Sequence, residues 1–349
     1  MKKNGLEVKT DEFRSPSTFS WYYGVPCFMV FISLLIFPFL PQLAFIVSIS
    51  GALFFISEIN SIETISHIFP QKRSQNVVAR IKSKKSPRKK VVILAHHDTS
   101  KPSISFAPRF VKYFRASIVL MIFCVVVIPA IYGISMAFPS NEMLYYITIP
   151  FSLYLLIAVL VLIHRELTYE PVPGANDNAS GTSVMTSLSK ALSSSIPDTT
   201  EVWFVSTGCE EVGAIGMIRF LKKYGEELKD AYFINIDNVG RGQIRYTTKE
   251  GLIKSFKCSE ILVGIASQSS IKTNIHVKGF VNKIYPTNAL PCLVRNYRVI
   301  SILATDDKNL IYNWHWKTDT TQNLDIETIN RAYDIVLEMV RSIDSSSDY

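Results

Sequence analysis

The stretch Pro173-Gly174-Ala175-Asn176-Asp177-Asn178-Ala179-Ser180-Gly181 places one acidic side chain in a tight Gly/Asn-rich turn that opens a helix over Ala179 to Leu192. Asn and Gly permit the sharp backbone geometry of such a turn, and a strand-to-helix loop aims its side chains into the crevice where open α/β sheets bind ligands. Taken singly, Asn-Asp-Asn is ordinary turn chemistry. Four further places change its weight, because each lies at or just beyond the end of an apolar, strand-like run: His96-His97-Asp98, Cys209-Glu210-Glu211, Asn235-Ile236-Asp237 and Trp314-His315-Trp316.

Around these places the chain alternates. Strands are expected at Asn76–Ile81, Val91–Ala95, Val202–Ser206, Tyr232–Ile236, near Gln243–Thr247 and at Val299–Leu303, the first two joined by the basic turn Lys82–Lys90. Helices are expected after Asp177, at Ala214–Tyr224, Ser259–Ser269 and Thr287–Val294, and over an amphipathic closing segment, Ile326–Ile343. Glu58–Phe69 also carries helical spacing, through Ile59, Ile62, Ile65 and Ile68. Alternation of this kind predicts an α/β fold, a mostly parallel sheet flanked by helices on both faces.

The composition predicts more than that lobe. Hydrophobic residues make up 48% of the chain and its mean hydropathy is +0.20, and the excess is localised. No residue is charged between Arg14 and Glu58 or between Arg115 and Glu142, and Met143–Ile163 forms a third uncharged block. A helix needs about 20 apolar residues to cross a bilayer. The first block holds two spans folded back at Pro38-Phe39-Leu40-Pro41 and the others one each, which gives four transmembrane helices in two hairpins. The resulting organisation is a polar, mobile leader (1–19), a first hairpin (20–57), the first part of the α/β lobe (58–115), a second hairpin inserted in it (116–163) and the rest of the lobe (164–349).

The connecting turns near Pro38–Pro41 and Pro139–Glu142 lack Lys and Arg, whereas Glu58–Arg115 is rich in both and is opposed only by Glu58, Glu63 and Asp98. The positive-inside rule puts that segment, and with it the lobe, on the cytoplasmic side of a plasma (inner) membrane. The net charge of +8 then reflects topology and anionic lipid, and no nucleic-acid partner is expected, because no stacking-aromatic motif accompanies the basic run. The spans carry no acidic or basic side chain to mark an ion path, so they read as an anchor in lipid. Five cysteines without paired spacing indicate neither a disulfide framework nor a cysteine zinc site.

Two imidazoles and three carboxylates from separate loops form a mixed N/O donor set that suits Zn²⁺, with Mn²⁺ or Co²⁺ less selectively. One central carboxylate can bridge two ions about 3.5 to 4 Å apart. His96 and Asp98, two apart on a strand, share a face, so the pair supplies a ligand and an orienting partner. Adjacent Glu210 and Glu211 need different jobs, since neighbouring carboxylates repel unless a metal neutralises one. A ligand beside a general base satisfies that.

These motifs resemble those of the M28 metallopeptidases, co-catalytic zinc aminopeptidases and their relatives. The likeness covers His96-His97-Asp98, Gly174–Gly181, Cys209-Glu210-Glu211-Val212-Gly213, Asn235-Ile236-Asp237-Asn238-Val239-Gly240 and His315-Trp316-Lys317-Thr318-Asp319-Thr320, in the family's order. It implies two zinc ions held by His96, Asp177, Glu211, Asp237 and His315, with Asp177 bridging. It further implies that Glu210 is the general base acting on a metal-bound water, that Asp98 orients His96, and that the peptide bond after Asp177 is cis. The implied function is a membrane-anchored aminopeptidase acting on peptides. Two alternatives stand beside it: a glutaminyl-cyclase-like acyl transferase with one zinc, against which Asn288 speaks because the cyclase pattern has an acidic residue there, and a non-catalytic membrane scaffold of the same fold. The chain departs from soluble relatives in carrying a membrane hairpin between Asp98 and Asp177.

Overall fold

Val91-Val92-Ile93-Leu94 and Trp203-Phe204-Val205 are apolar at every position, as strands buried on both faces must be. In the computed structural model, which describes residues 1–60, 62–138 and 140–346, they lie at the centre of a nine-stranded sheet. The strands are β1 (Glu7–Pro16), β2 (Gln71–Ile81), β3 (Lys89–His96), β4 (Thr200–Thr207), β5 (Tyr232–Ile236), β6 (Gln243–Glu250), β7 (Phe256–Lys257), β8 (Lys278–Asn282) and β9 (Arg298–Thr305). Their order is β1-β2-β4-β3-β5-β9-β6-β7, with β8 also paired to β6. The helices are α1 (Ser20–Ile36), α2 (Pro41–Ile59), α3 (Phe114–Ala137), α4 (Met143–Thr168), α5 (Gly181–Ser194), α6 (Ile215–Tyr224), α7 (Glu260–Lys272), α8 (Ala289–Val294) and α9 (Ile326–Ser345).

The chain divides into two units, one comprising Met1–Ser15, Arg73–Ser100 and Pro171–Tyr349, the other Pro16–Lys72 and Lys101–Glu170. The first contains the sheet, which is mixed where the sequence predicts mostly parallel. β4, β3, β5 and β9 form a parallel block, and β8 runs parallel to β6. β2 runs antiparallel to β4, and β6 antiparallel to β9. The reason lies in the connections: the turn between β2 and β3 is far shorter than the dozen or so residues a parallel crossover takes, so direction must reverse. β4 also inserts between those two sequence neighbours.

Alternation along β3 divides the core. Val91, Ile93 and Ala95 pack in the layer with α5, α7 and α9, through Leu188, Ile265 and Val336 among others, while Val92 and Leu94 pack with Met217 and Phe220 of α6 and Cys292 of α8. Helices therefore cover both faces, as expected. Residues 7–16, read as part of a mobile leader, instead form edge strand β1. Its run Glu7-Val8-Lys9-Thr10-Asp11-Glu12-Phe13-Arg14 is charged because an edge strand is largely solvated. Thr99 and Val172, where the chain leaves and re-enters this unit, lie side by side: Val172 N donates to Ser100 O at 2.9 Å and Thr99 Oγ1 to Val172 O at 3.0 Å.

The second unit is formed by α1 to α4, with α1 packed against α2 and α4, and α3 against α2 and α4. Its core includes Val30, Phe55, Ile128, Tyr132 and Leu155. Large apolar side chains such as Phe28, Ile46, Leu53, Phe123, Ile157 and Leu160 face outward, the reverse of a water-facing surface. Among the described residues three helices are long and apolar enough to cross a membrane, Pro41–Ile59, Val111–Ala137 and Met143–Thr168; Ser20–Ile36 is apolar but shorter. Buried Ser33 and Thr148 hydroxyls donate to carbonyls three residues back, Val30 O at 2.6 Å and Tyr145 O at 2.7 Å, which satisfies them within the helix. The helix expected over Glu58–Phe69 does not form. Glu58 Oε1 instead accepts from the N–H groups of Thr64, Ile65 and Ser66, at 2.7, 2.7 and 2.9 Å, so that α2 ends at Ile59 and the chain turns back on its own carboxylate. Pro139, in the turn of the second hairpin, and the last residues of the serine-rich tail lie outside the described residues.

Candidate metal centre

Each strand of the parallel block delivers a donor at its carboxyl end. His96 is the last residue of β3, Glu210 and Glu211 follow β4, Asp237 follows β5, and His315 lies in the loop after β9. Asp177 comes from the turn that opens α5. Strand order therefore sets Glu210 and Glu211, His96 and Asp237 side by side at one end of the sheet, where such sheets bind ligands, and the loop after β9 folds back to bring His315 to Glu211.

The donors converge. His96 Nε2 lies 3.1 Å from Asp177 Oδ1 and 3.5 Å from Asp237 Oδ1, while His315 Nε2 lies 3.2 Å from Asp177 Oδ2 and 2.8 Å from Glu211 Oε2. Two groups of three with metal-ligand spacing thus share one carboxylate, His96–Asp177–Asp237 and Asp177–Glu211–His315; a third, His96–Glu210–Glu211, brings Glu210 to the same place. All six side chains are buried.

Burial works against a charge on either imidazole, yet the carboxylates prevail. Asp177, Asp237 and Asp98 hold the His96 pKa well above the ordinary value, and Glu211 and Asp177 push His315 up to about 10. Burial would likewise raise Asp177, but hydrogen bonds from His315 and His96 hold it below the carboxylate range. Burial raises Glu210 well above that range, against the pull of His96 and with the help of Glu211, Asp237 and Asp98, and it raises Glu211 as well. The cluster sets four carboxylates, Asp177, Glu210, Glu211 and Asp237, against two imidazoles, an excess of acidic groups that suits a cation. Glu211 Oε1 is buried without a hydrogen-bond partner among the described residues, and a buried orphan oxygen beside four other N/O donors fits a bound cation.

Local backbone chemistry explains the convergence. Cys209, Asn238 and His315, at or beside the donors, have left-handed φ of 56°, 53° and 48°, a conformation that costs non-glycine residues energy and collects at functional sites. The bond between Asp177 and Asn178 is cis, as the family resemblance implies. Asn178 Nδ2 donates to Ile236 O at 2.9 Å, and its Oδ1 accepts from Gly181 N at 3.0 Å and Asn238 N at 3.2 Å. Asn176 Oδ1 accepts from Gly240 N at 2.7 Å. The two asparagines that flank Asp177 thus stitch its turn to the loop that bears Asp237. Gly181 is required there, since a Cβ would meet Ile236 O at 2.5 Å.

Asp98, expected to orient His96, lies beside its Nδ1 and also holds a second position. The closer atom to His96 Nδ1 is the Asp98 backbone oxygen, at 3.1 Å, with carboxylate Oδ1 at 3.6 Å. That carboxylate accepts from Glu210 N and Glu211 N, each at 3.0 Å. Asp319, which sequence reasoning quoted only within a motif, is 1% exposed and accepts from Asn176 N at 2.6 Å and Asp177 N at 3.1 Å. Its position four residues past His315 carried no local signal for that contact.

The model of Peptidase family M28 matches residues 159–340. The chain belongs to this family. Aminopeptidase YwaD of Bacillus subtilis (strain 168) is 43% identical over 70 residues, 20% of this chain and 15% of that protein. The zinc aminopeptidase BSAP from Bacillus subtilis superposes with a TM-score of 0.51 at 20% identity, over 79% of this chain and 51% of that one. The glutaminyl cyclase of Porphyromonas gingivalis gives 0.54 at 11% identity, over 98% and 86%. At these identities the structural likenesses establish the fold, and the M28 chain described here spans about half the length of the BSAP chain.

Proposed function

We propose that this M28 chain is a membrane-anchored, zinc-dependent aminopeptidase that holds two ions through His96, Asp177, Glu211, Asp237 and His315. The observation that carries the reading is the placement of two imidazoles on opposite oxygens of one buried carboxylate, His96 at Asp177 Oδ1 and His315 at Asp177 Oδ2. Zinc is the metal favoured by the mixed N/O set, and BSAP, which shares the fold, is a zinc aminopeptidase. When bound, the metal supplies Lewis acidity toward a peptide carbonyl and makes a water acidic enough to attack it at neutral pH.

The protein side chains do the rest. Glu210, whose proton affinity is raised by burial, takes a proton from the attacking water and returns it to the leaving amine. Asp98 fixes the main chain at Glu210 and Glu211, so base and neighbouring ligand keep a constant separation. The outward apolar surface of α1–α4 supports four membrane spans in two hairpins, and the basic segment before α3 supports a cytoplasmic lobe at the inner membrane. Peptides are the substrates, and bilayer lipid is the partner of the helices.

The test is digestion of a peptide library by the purified protein, read by mass spectrometry, with elemental analysis of the same sample. Stepwise loss of N-terminal residues, abolished by chelator and restored by zinc, is expected; internal cleavage, or activity indifferent to chelator, refutes it. The likeness to the P. gingivalis cyclase supports a second reading, an acyl transferase with one zinc. Asn288, buried and accepting from Thr207 Oγ1 at 3.2 Å, stands where the cyclase pattern is acidic, which favours the peptidase. Retention of every donor weighs against a non-catalytic scaffold.

A further inference from the structure

Buried carboxylates that take no part in the donor set need a physical account, since an ionisable group is kept from water only where it is bound to something. Asp319 is such a group. Its two oxygens lie across two consecutive backbone N–H groups, those of Asn176 at 2.6 Å and Asp177 at 3.1 Å. Paired amides of this kind form an anion-binding concavity, and filling it from both oxygens fixes the peptide plane that enters Asp177.

The turn around Asp177 is supported from two loops. Asn178 ties it to the loop of Asp237, through Ile236 O and Asn238 N, while Asn176 reaches both loops, accepting from Gly240 N and donating to Tyr312 O at 2.9 Å. Asp319 ties it to the loop of His315, four residues upstream of itself. Asn178 and Asp319 therefore serve different sides of Asp177, Asn178 the side that meets His96 and Asp237, and Asp319 the side that meets His315 and Glu211, with Asn176 common to both.

We infer that Asp319 is a positioning residue that sets the spacing between Asp177 Oδ2 and His315 Nε2, 3.2 Å here, and with it the cation affinity of the Asp177–Glu211–His315 group specifically. Nothing about overall folding demands this side-selectivity. The inference rests on the two-ion reading for its metal arm, and stands without it for its backbone arm.

Two measurements on the full-length protein in detergent test it. Hydrogen exchange without metal reads the backbone: Asp319→Ala should accelerate exchange in the segment 174–181 at least tenfold, with β3 and β5 unchanged, and Asp319→Asn, which keeps one acceptor oxygen, should fall between. Titration with Co²⁺, followed by its absorption bands, reads the groups separately. Loss of a supporting partner weakens metal binding by about 10- to 100-fold, so Asp319→Ala should weaken one of two cobalt equivalents by that factor and leave the other within about threefold. Asn178→Ala should weaken the opposite equivalent, the one that His96→Ala removes.

Unchanged exchange at 174–181 in both Asp319 variants overturns the inference, as does equal weakening of both equivalents. If Asp319→Ala does not fold, Asp319→Asn decides by the same criteria. A wild-type protein that takes up no metal refutes the functional reading, while the exchange result still decides the brace.

Discussion

At the residue scale, the reading turns on which carboxylate does which job. Glu210 and Glu211 are both buried and both raised in pKa, yet only Glu211 touches an imidazole, His315, at 2.8 Å. On the proposed mechanism Glu210 is therefore the one that moves the proton. Glu210→Gln should lower turnover by about 10² to 10⁴, the range for removing a proton-transfer group, with metal content near normal; full activity in a contaminant-free preparation would sink the assignment. Asp177 is the carboxylate shared by the His96–Asp177–Asp237 and Asp177–Glu211–His315 groups. Asp177→Asn should weaken both metal equivalents and His96→Ala mainly one, and equal single-equivalent losses by elemental analysis would argue against a bridge.

At the element scale, the helices of the second unit approach more closely than their apolar composition alone requires. Gly51 of α2 faces α1 so tightly that a Cβ would meet Pro26 O at 2.8 Å and Val30 Cγ2 at 3.0 Å. Small residues at such crossings let backbones pack in lipid, where no hydrophobic force drives helices together. Gly51→Leu should destabilise this unit by about 1–3 kcal/mol, the cost of overpacking, seen as a lower Tm in detergent. An unchanged Tm would mean the helices separate without penalty. In the sheet the corresponding choice was made by connection length, since a short turn between β2 and β3 left reversal as the only course.

At the scale of the whole molecule, two kinds of solvent are written into one chain. One unit buries its apolar side chains about a sheet, while the other exposes Phe28, Leu53, Phe123 and Leu160 outward. If the proposed topology holds, a membrane-impermeant thiol reagent added to intact cells should label a cysteine introduced at Ser140 and fail to label one in the Lys82–Lys90 turn. The reverse pattern would place the catalytic lobe outside the cytoplasm and require a different pool of peptides.

The sequence by itself determined what depends on local composition. Apolar runs ending in His96, Cys209-Glu210-Glu211 and Asp237 read as strands with donors at their ends, amphipathic spacing marked α9, and long uncharged blocks marked the apolar helices, because each signal lies within one segment. Tertiary structure alone decided the rest. It set β4 between β2 and β3, recruited residues 7–16 as an edge strand and ended α2 on the Glu58 carboxylate. It also laid Asp98 across the amides of Glu210 and Glu211 and Asp319 across those of Asn176 and Asp177. The physical reason is that a backbone N–H donates to any carboxylate or carbonyl within reach, so such contacts leave no periodicity or motif, and only the folded chain brings their partners together.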